Sequence, residues 1–425
     1  MYTLCGMRCQ ARLPPVLDIS FVLRGPEGTG WELPPVPGIV EVTAEAPLRH
    51  AEPIGLVALA AWVDRLGRRG SQVIIHDSVK SRYAWNTGIL SALAGKTPFC
   101  KDVKLAGEWF PLCRAAGTAM IDALGGEVSI LLNVPSSDAK EALAYTICEM
   151  VRNAHEHRRT DCPIFFAAGW FRTQGRLTFA VADAGIGIPA HLRIARRVTE
   201  QDDDSVAIER SLQPYVTGAA PPEDIGAPTN AGMGLYMTRR IVASCGGEFL
   251  VQSSGARFLE RGGDAGSIGV CKPWKGTLIQ VTLRVHQMKS FSALFQSLVA
   301  GGQAEPDLKL HFASGPKEGA DFEPPVDQAG FAANKGWYEE NRQVLYEELA
   351  DNGVVNINFK NAKFTTQSAI HALLYDPIRR LGPRVLEDIW FDNASPQIRA
   401  VLRQVVSYAL EHHRAIMRDG SVTPP

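Results

Sequence analysis

The sequence predicts an α/β protein, an α+β sandwich with a mixed sheet at its centre and a smaller α/β module on either side. Three observations carry this expectation. Strand-like alternation and helix-like periodicity take turns along most of the chain, the pattern of layered α/β packing. A helical stretch over 138–158 spaces Glu149, Asn153 and His157 four residues apart, which sets them on one face. Two glycine loops, Asp183-Ala-Gly185-Ile-Gly187 and Asn230-Ala-Gly232-Met-Gly234-Leu235, stand at a strand end and a helix start.

The elements follow in order. Residues 1–37 are rich in Pro and Gly, which break regular backbone, and are expected to be a coiled extension. Residues 38–124 then read as strand, helix, strand, helix. The first helix, from Ile54, closes on Arg68-Arg69-Gly70, where cations and a glycine suit a C-terminus. An amphipathic stretch over 108–124 is read as a connection and Glu127–Val134 as a strand. From about 125 to 286 a central domain is expected. Its long helix is followed by strands at Pro163–Phe171 and Leu177–Ala182, the second delivering Asp183 into its loop. Residues 188–231, polar and then Gly/Pro-rich, are expected to form a mobile lid. A linker over 287–335 precedes a second module at 336–416 with two strands and three helices, and 417–425 reads as a tail.

Composition narrows the functional classes. With 45% hydrophobic and 21% charged residues, the 425-residue chain can bury a sizeable core. A net charge of -1 supplies no global field toward nucleic acid or anionic membrane. The eight cysteines show no zinc-site spacing and are read as thiols in a reducing compartment. Neither a basic-then-apolar leader nor an apolar run of roughly 18 residues is present, so a cytoplasmic protein is expected.

The three motifs, in this order and closed by Gly276-Thr277 at a strand start, resemble the nucleotide-binding boxes of the GHKL superfamily. That superfamily includes the ATP-binding domains of gyrase, the MutL proteins, sensor histidine kinases and anti-sigma-factor kinases. The resemblance implies ATP and Mg²⁺ as cofactors. Asn153 would ligate the metal, a hard cation that prefers oxygen ligands. Glu149 would be the base that orients or deprotonates the nucleophile. His157 would contact phosphate or support the site from behind. Asp183 would accept a hydrogen bond from the adenine amine, with Gly185 and Gly187 allowing close backbone approach. Gly232, Gly234 and Leu235 would set a helix N-terminus against the phosphates, and Thr277 would support Asp183.

Both flanking modules resemble STAS-like domains, on Asp77-Ser78 in one and Phe364-Thr365-Thr366-Gln-Ser368 in the other. Ser78, Ser81, Thr365, Thr366 and Ser368 are therefore candidate phosphoacceptors. Asp or Ser as a helix cap is the competing reading of the first site. No His-Glu-x-x-x-Pro helix precedes the central domain, which separates the chain from sensor histidine kinases. The expected function is an Mg-ATP-dependent regulator, an anti-sigma-type Ser/Thr kinase or nucleotide switch with a protein partner and, by analogy, a homodimer. The alternatives are an ATP-hydrolysing clamp in DNA metabolism or phage defence, and a scaffold that holds ATP without cleaving it.

Overall fold

The structure, a computed structural model, describes residues 7–25, 31–33, 36–44, 46, 48–102, 104, 108–216, 232–300, 308–316 and 319–419. The N-terminal segment contains β1 (Met7–Leu13), β2 (Val16–Leu17), α1 (Ile19–Arg24), β3 (Gly38–Ala44), β4 (His50–Ala51), α2 (Pro53–Arg68), β5 (Gln72–Ile75), α3 (Arg82–Asn86) and α4 (Ile89–Leu93). Strands β1, β3 and β5 form a parallel sheet in that order. The expected coil at the N-terminus thus holds two strands and a helix. Strand β1 exists through its pairing with β3, a long-range partner that local Pro/Gly content does not reveal.

The central region contains β6 (Trp109–Ala115), α5 (Thr118–Leu131), α6 (Ser137–His157), β7 (Ile164–Phe171), β8 (Arg176–Ala182), α7 (Gly187–Ile194), α8 (Asp204–Ser211), α9 (Gly234–Ser244), β9 (Glu248–Arg261), β10 (Ser267–Arg284) and α10 (Phe291–Ala300). Its sheet runs β6-β7-β8-β10-β9, and every neighbouring pair is antiparallel. The α/β sandwich is as expected, but its sheet is not mixed. The β7–β8 and β9–β10 connections are hairpins, which permit only antiparallel pairing. The sheet also begins at Trp109, ahead of the expected start at 125.

The strand expected at Glu127–Val134 is instead the end of α5 and the turn after it. Packing explains the difference. A Cβ at Gly125 would lie 2.3 Å from the Ala144 carbonyl oxygen, so the bare glycine lets α5 press directly against α6. Tertiary contact outweighs the poor helix propensity of Gly125-Gly126. The cysteines also differ from expectation, because Cys100 and Cys113 form a disulfide. The Phe99–Arg114 bridge brings these distant positions side by side, which their spacing of 13 residues does not show.

Both faces of the central sheet are buried. On β7, Ile164, Phe166, Ala168 and Trp170 point to the helical layer of α5, α6 and α9, while Phe165 and Ala167 point to the N-terminal segment. Strand β8 repeats this, with Leu177, Phe179 and Val181 on one side and Ala180 and Ala182 on the other. Period-two alternation with two buried faces gives the nearly continuous apolar runs of these strands. Helix α2 lies against β7 and β8, and Trp31, Trp62 and Trp274 meet edge to face beside it.

The C-terminal segment contains α11 (Lys335–Ala350), β11 (Val355–Asn358), α12 (Gln367–Leu381), β12 (Ile389–Asp392) and α13 (Pro396–Asp419), with β11 and β12 parallel. Much of the expected linker is structured: 291–300 is α10, and Phe322 and Phe331 form bridges to Ile357 and Phe364. Phe364 also packs on Tyr145 and Phe295, so the C-terminal segment shares its core with α6 and α10. Neither flank closes a core of its own. Helices α7 and α8 fold onto β9 and β10 within the expected lid, and 217–231, including Asn230, lie outside the described residues. Among the described residues no helix is long and apolar enough to cross a membrane.

The shared N-terminal core predicts a specific cost. Trp274, 1% exposed, joins the long hairpin to α2, and Trp274→Ala should remove about 3–5 kcal/mol of stability in chemical denaturation. An unchanged unfolding midpoint would contradict the shared core.

Candidate functional site

Helix α6 carries the base of the site. Ser136 caps it, accepting a hydrogen bond from the Ala139 N–H, and Ala139, Leu143, Met150 and Val151 bury its apolar face. Its final turns point Glu149, Asn153 and His157 into a cleft also lined by Asp183, Gly187, Gly232, Gly234, Leu235 and Thr277. The cleft holds about 970 Å³ of empty volume, counted out to its open mouth. Nine of the ten residues singled out in the sequence thus meet in one place. Gly185 is the exception. It sits behind the wall, where a Cβ would come within 2.5 Å of the Arg158 carbonyl oxygen.

Asp183 is delivered by β8 and is 2% exposed. Its Oδ1 accepts the Gly185 N–H at 2.7 Å, and its own N–H donates to the Thr277 carbonyl at 3.0 Å. Burial pushes its carboxyl up to about 7, against the lowering effect of Gly185, Arg158 and Thr277. Thr277 therefore supports Asp183 through its backbone. Gly276, at φ 94°, is required here because a Cβ would sit 2.2 Å from the Asp183 carbonyl oxygen.

The phosphate-loop candidates close the other side. A Cβ on Gly234 would lie 2.7 Å from Glu149 Oε2 and 3.0 Å from Asn153 Nδ2. The start of α9, with its unpaired N–H groups, therefore lies directly against the α6 pair. Such a start favours anions. Gly232, at φ 65°, would meet the Val216 backbone at 2.8 Å if it carried a Cβ.

Glu149 is buried, which pushes its carboxyl up, while Arg152 and Ser368 pull it down. Arg152 is 3% exposed, and its guanidinium reaches Asp122 at 2.6 Å, Glu149 at 3.3 Å, Thr366 at 3.2 Å and the Ala333 carbonyl at 2.9 Å. It also donates to Ser368, whose hydroxyl donates in turn to Glu149 Oε1 at 2.9 Å. Gln367 and Ser368 line the cleft from the first turn of α12. Sequence reasoning placed Arg152 nowhere, although its position three residues after Glu149 was a usable signal.

His157 lies 4.4 Å from His191, ring centroid to ring centroid. Burial lowers both, His191 to about 3, which favours the uncharged imidazoles in the ligand-free cleft. His191 is 6% exposed, and neither of its ring nitrogens has a hydrogen-bond partner. An orphaned imidazole and a glycine-cleared wall in one cleft fit a polar ligand that brings its own hydrogen-bonding groups.

Helices on one face of an antiparallel sheet, a buried carboxylate at a strand end and a glycine turn into a helix define a nucleotide-binding sandwich. Residues 138–287 match the family described as histidine kinase-, DNA gyrase B- and HSP90-like ATPase, so this part of the chain is similar to a GHKL-type ATP-binding domain. No curated protein matches the chain.

Two measurements check the geometry. Gly234→Ala should weaken ATP binding by at least about tenfold, or about 1.4 kcal/mol, in calorimetry, because its Cβ displaces Glu149 and Asn153. Asp183 is raised from 3.8 to about 7, so the nucleotide-free fold binds the extra proton and loses stability as pH rises between those values. Asp183→Asn should flatten that fall in denaturation curves; an unchanged slope would show that Asp183 is not the group responsible.

Proposed function

We propose that the protein is an Mg-ATP-dependent regulatory protein of the anti-sigma kinase type, in which nucleotide state is read by the C-terminal segment. The observation that carries this is the position of Glu149. One carboxylate oxygen faces the glycine start of α9 and the other is bonded to Ser368 on α12. The base thus stands between the phosphate side of the cleft and a hydroxyl of another segment, the arrangement phosphoryl transfer needs.

In this reading Asp183 takes the adenine amine, Gly232 and Gly234 admit the phosphates, and Asn153 supplies an oxygen to Mg²⁺. One amide oxygen suffices for a cation that keeps water and phosphate ligands. When bound, the metal neutralises phosphate charge. Burial raises the Glu149 carboxyl, which strengthens it as a proton acceptor. The C-terminal βα layer, STAS-like by its strand and helix order, is the natural reporter because its first helical turn touches the base. A partner protein would then respond to its release or modification.

Calorimetry and radiolabelling test the proposal together. ATP with Mg²⁺ should bind in preference to GTP, and Asn153→Ala should bind at least about tenfold more weakly. Glu149→Ala should keep binding and lose turnover. Equal affinity for ATP and GTP, or turnover surviving in Glu149→Ala, would overturn the assignment of these residues.

A further inference from the structure

Five hydroxyls were candidates for modification, and their surroundings separate them. Ser78 Oγ accepts the Ala44 N–H, and Ser81 caps α3 through the Ala84 N–H, both away from the cleft. Thr365 donates to the Ala332 carbonyl at 2.7 Å. Thr366 caps α12, accepting from Ala369, and is turned toward Arg152. Ser368 alone of the five lines the nucleotide cleft, and it alone donates to Glu149.

We propose that Ser368 is the phosphoacceptor of this cleft, phosphorylated within its own chain. The inference rests on the reading of the cleft as an ATP site and names the group that receives the phosphoryl. Glu149 spans the distance between donor and acceptor. Its Oε1 holds the Ser368 hydroxyl at 2.9 Å, and its Oε2 lies where a Cβ on Gly234 would come within 2.7 Å. Ser368 Oγ attacks the γ-phosphorus of the substrate ATP. The new O–P bond forms as the bond from that phosphorus to the β,γ-bridging oxygen breaks. The hydroxyl proton passes to Glu149, and the electron pair of the broken bond leaves on ADP.

The surroundings suit the product as well. A phosphoserine in the first turn of α12 would meet the positive end of the helix and the Arg152 guanidinium, both favourable to the added charge. Glu149, on the same hydroxyl, would repel it. Phosphorylation would therefore replace the Ser368–Glu149 hydrogen bond with a charge held by Arg152 and the helix start.

The test uses the full chain with γ-labelled ATP and Mg²⁺, alongside Ser368→Ala and Ser368→Thr, with ATP affinity measured for each. The expected result is label on Ser368, at a rate per molecule independent of protein concentration. Ser368→Ala should bind ATP and take no label, whereas Ser368→Thr should be labelled on the new threonine. Bound ATP with only free phosphate, or undiminished label in Ser368→Ala, would overturn the proposal and leave the nucleotide site standing. Failure of the unmodified chain to bind ATP would overturn the reading of the cleft, and this proposal with it.

Discussion

The buried guanidinium of Arg152 is the interaction on which the arrangement of the site depends. A charge this far from water is tolerable only when its donors are paired, and breaking such a cluster costs about 3–5 kcal/mol. Its partners come from four places: Asp122 on α5, Glu149 on α6, the Ala333 carbonyl ahead of α11, and Thr366 and Ser368 at the start of α12. Lys335 adds a second tie, reaching Glu156 on α6 at 2.6 Å. Satisfying one cation therefore fixes the orientation of Glu149 and docks the C-terminal segment against the cleft. Glu149 and α12 are thus joined through this cluster, directly and by way of Arg152.

The other face of the sheet serves a different end. Helix α2 and the three tryptophans cover Phe165, Ala180 and Leu278 from the side opposite α6. The sheet that positions Asp183 is thereby packed between two layers. Apolar packing on that side contrasts with the polar, multiply bonded contact to α12 on the other.

The grouping of these residues in one cleft was legible because it is written locally. Helix α6 sets its residues by its own period, β8 ends where Asp183 begins, and each glycine stands where a Cβ would strike backbone or a site residue. What escaped the sequence is non-local. The Glu127–Val134 stretch looked extended because its helical form depends on Gly125 meeting Ala144. Strand β1 needs β3, and the Cys100–Cys113 bond needs the chain to return beside itself. The antiparallel sheet and the role of Arg152 likewise depend on partners far along the chain; those of Arg152 lie up to 216 residues away.

The most direct measurement is a crystal structure of the full chain with Mg²⁺ and a non-hydrolysable ATP analogue. The adenine amine should lie within hydrogen-bond distance of Asp183, and the terminal phosphate should lie between Gly234 and the start of α12, beside Glu149. A nucleotide bound outside this cleft, or oriented with its base toward Glu149 and its phosphates toward Asp183, would contradict the account.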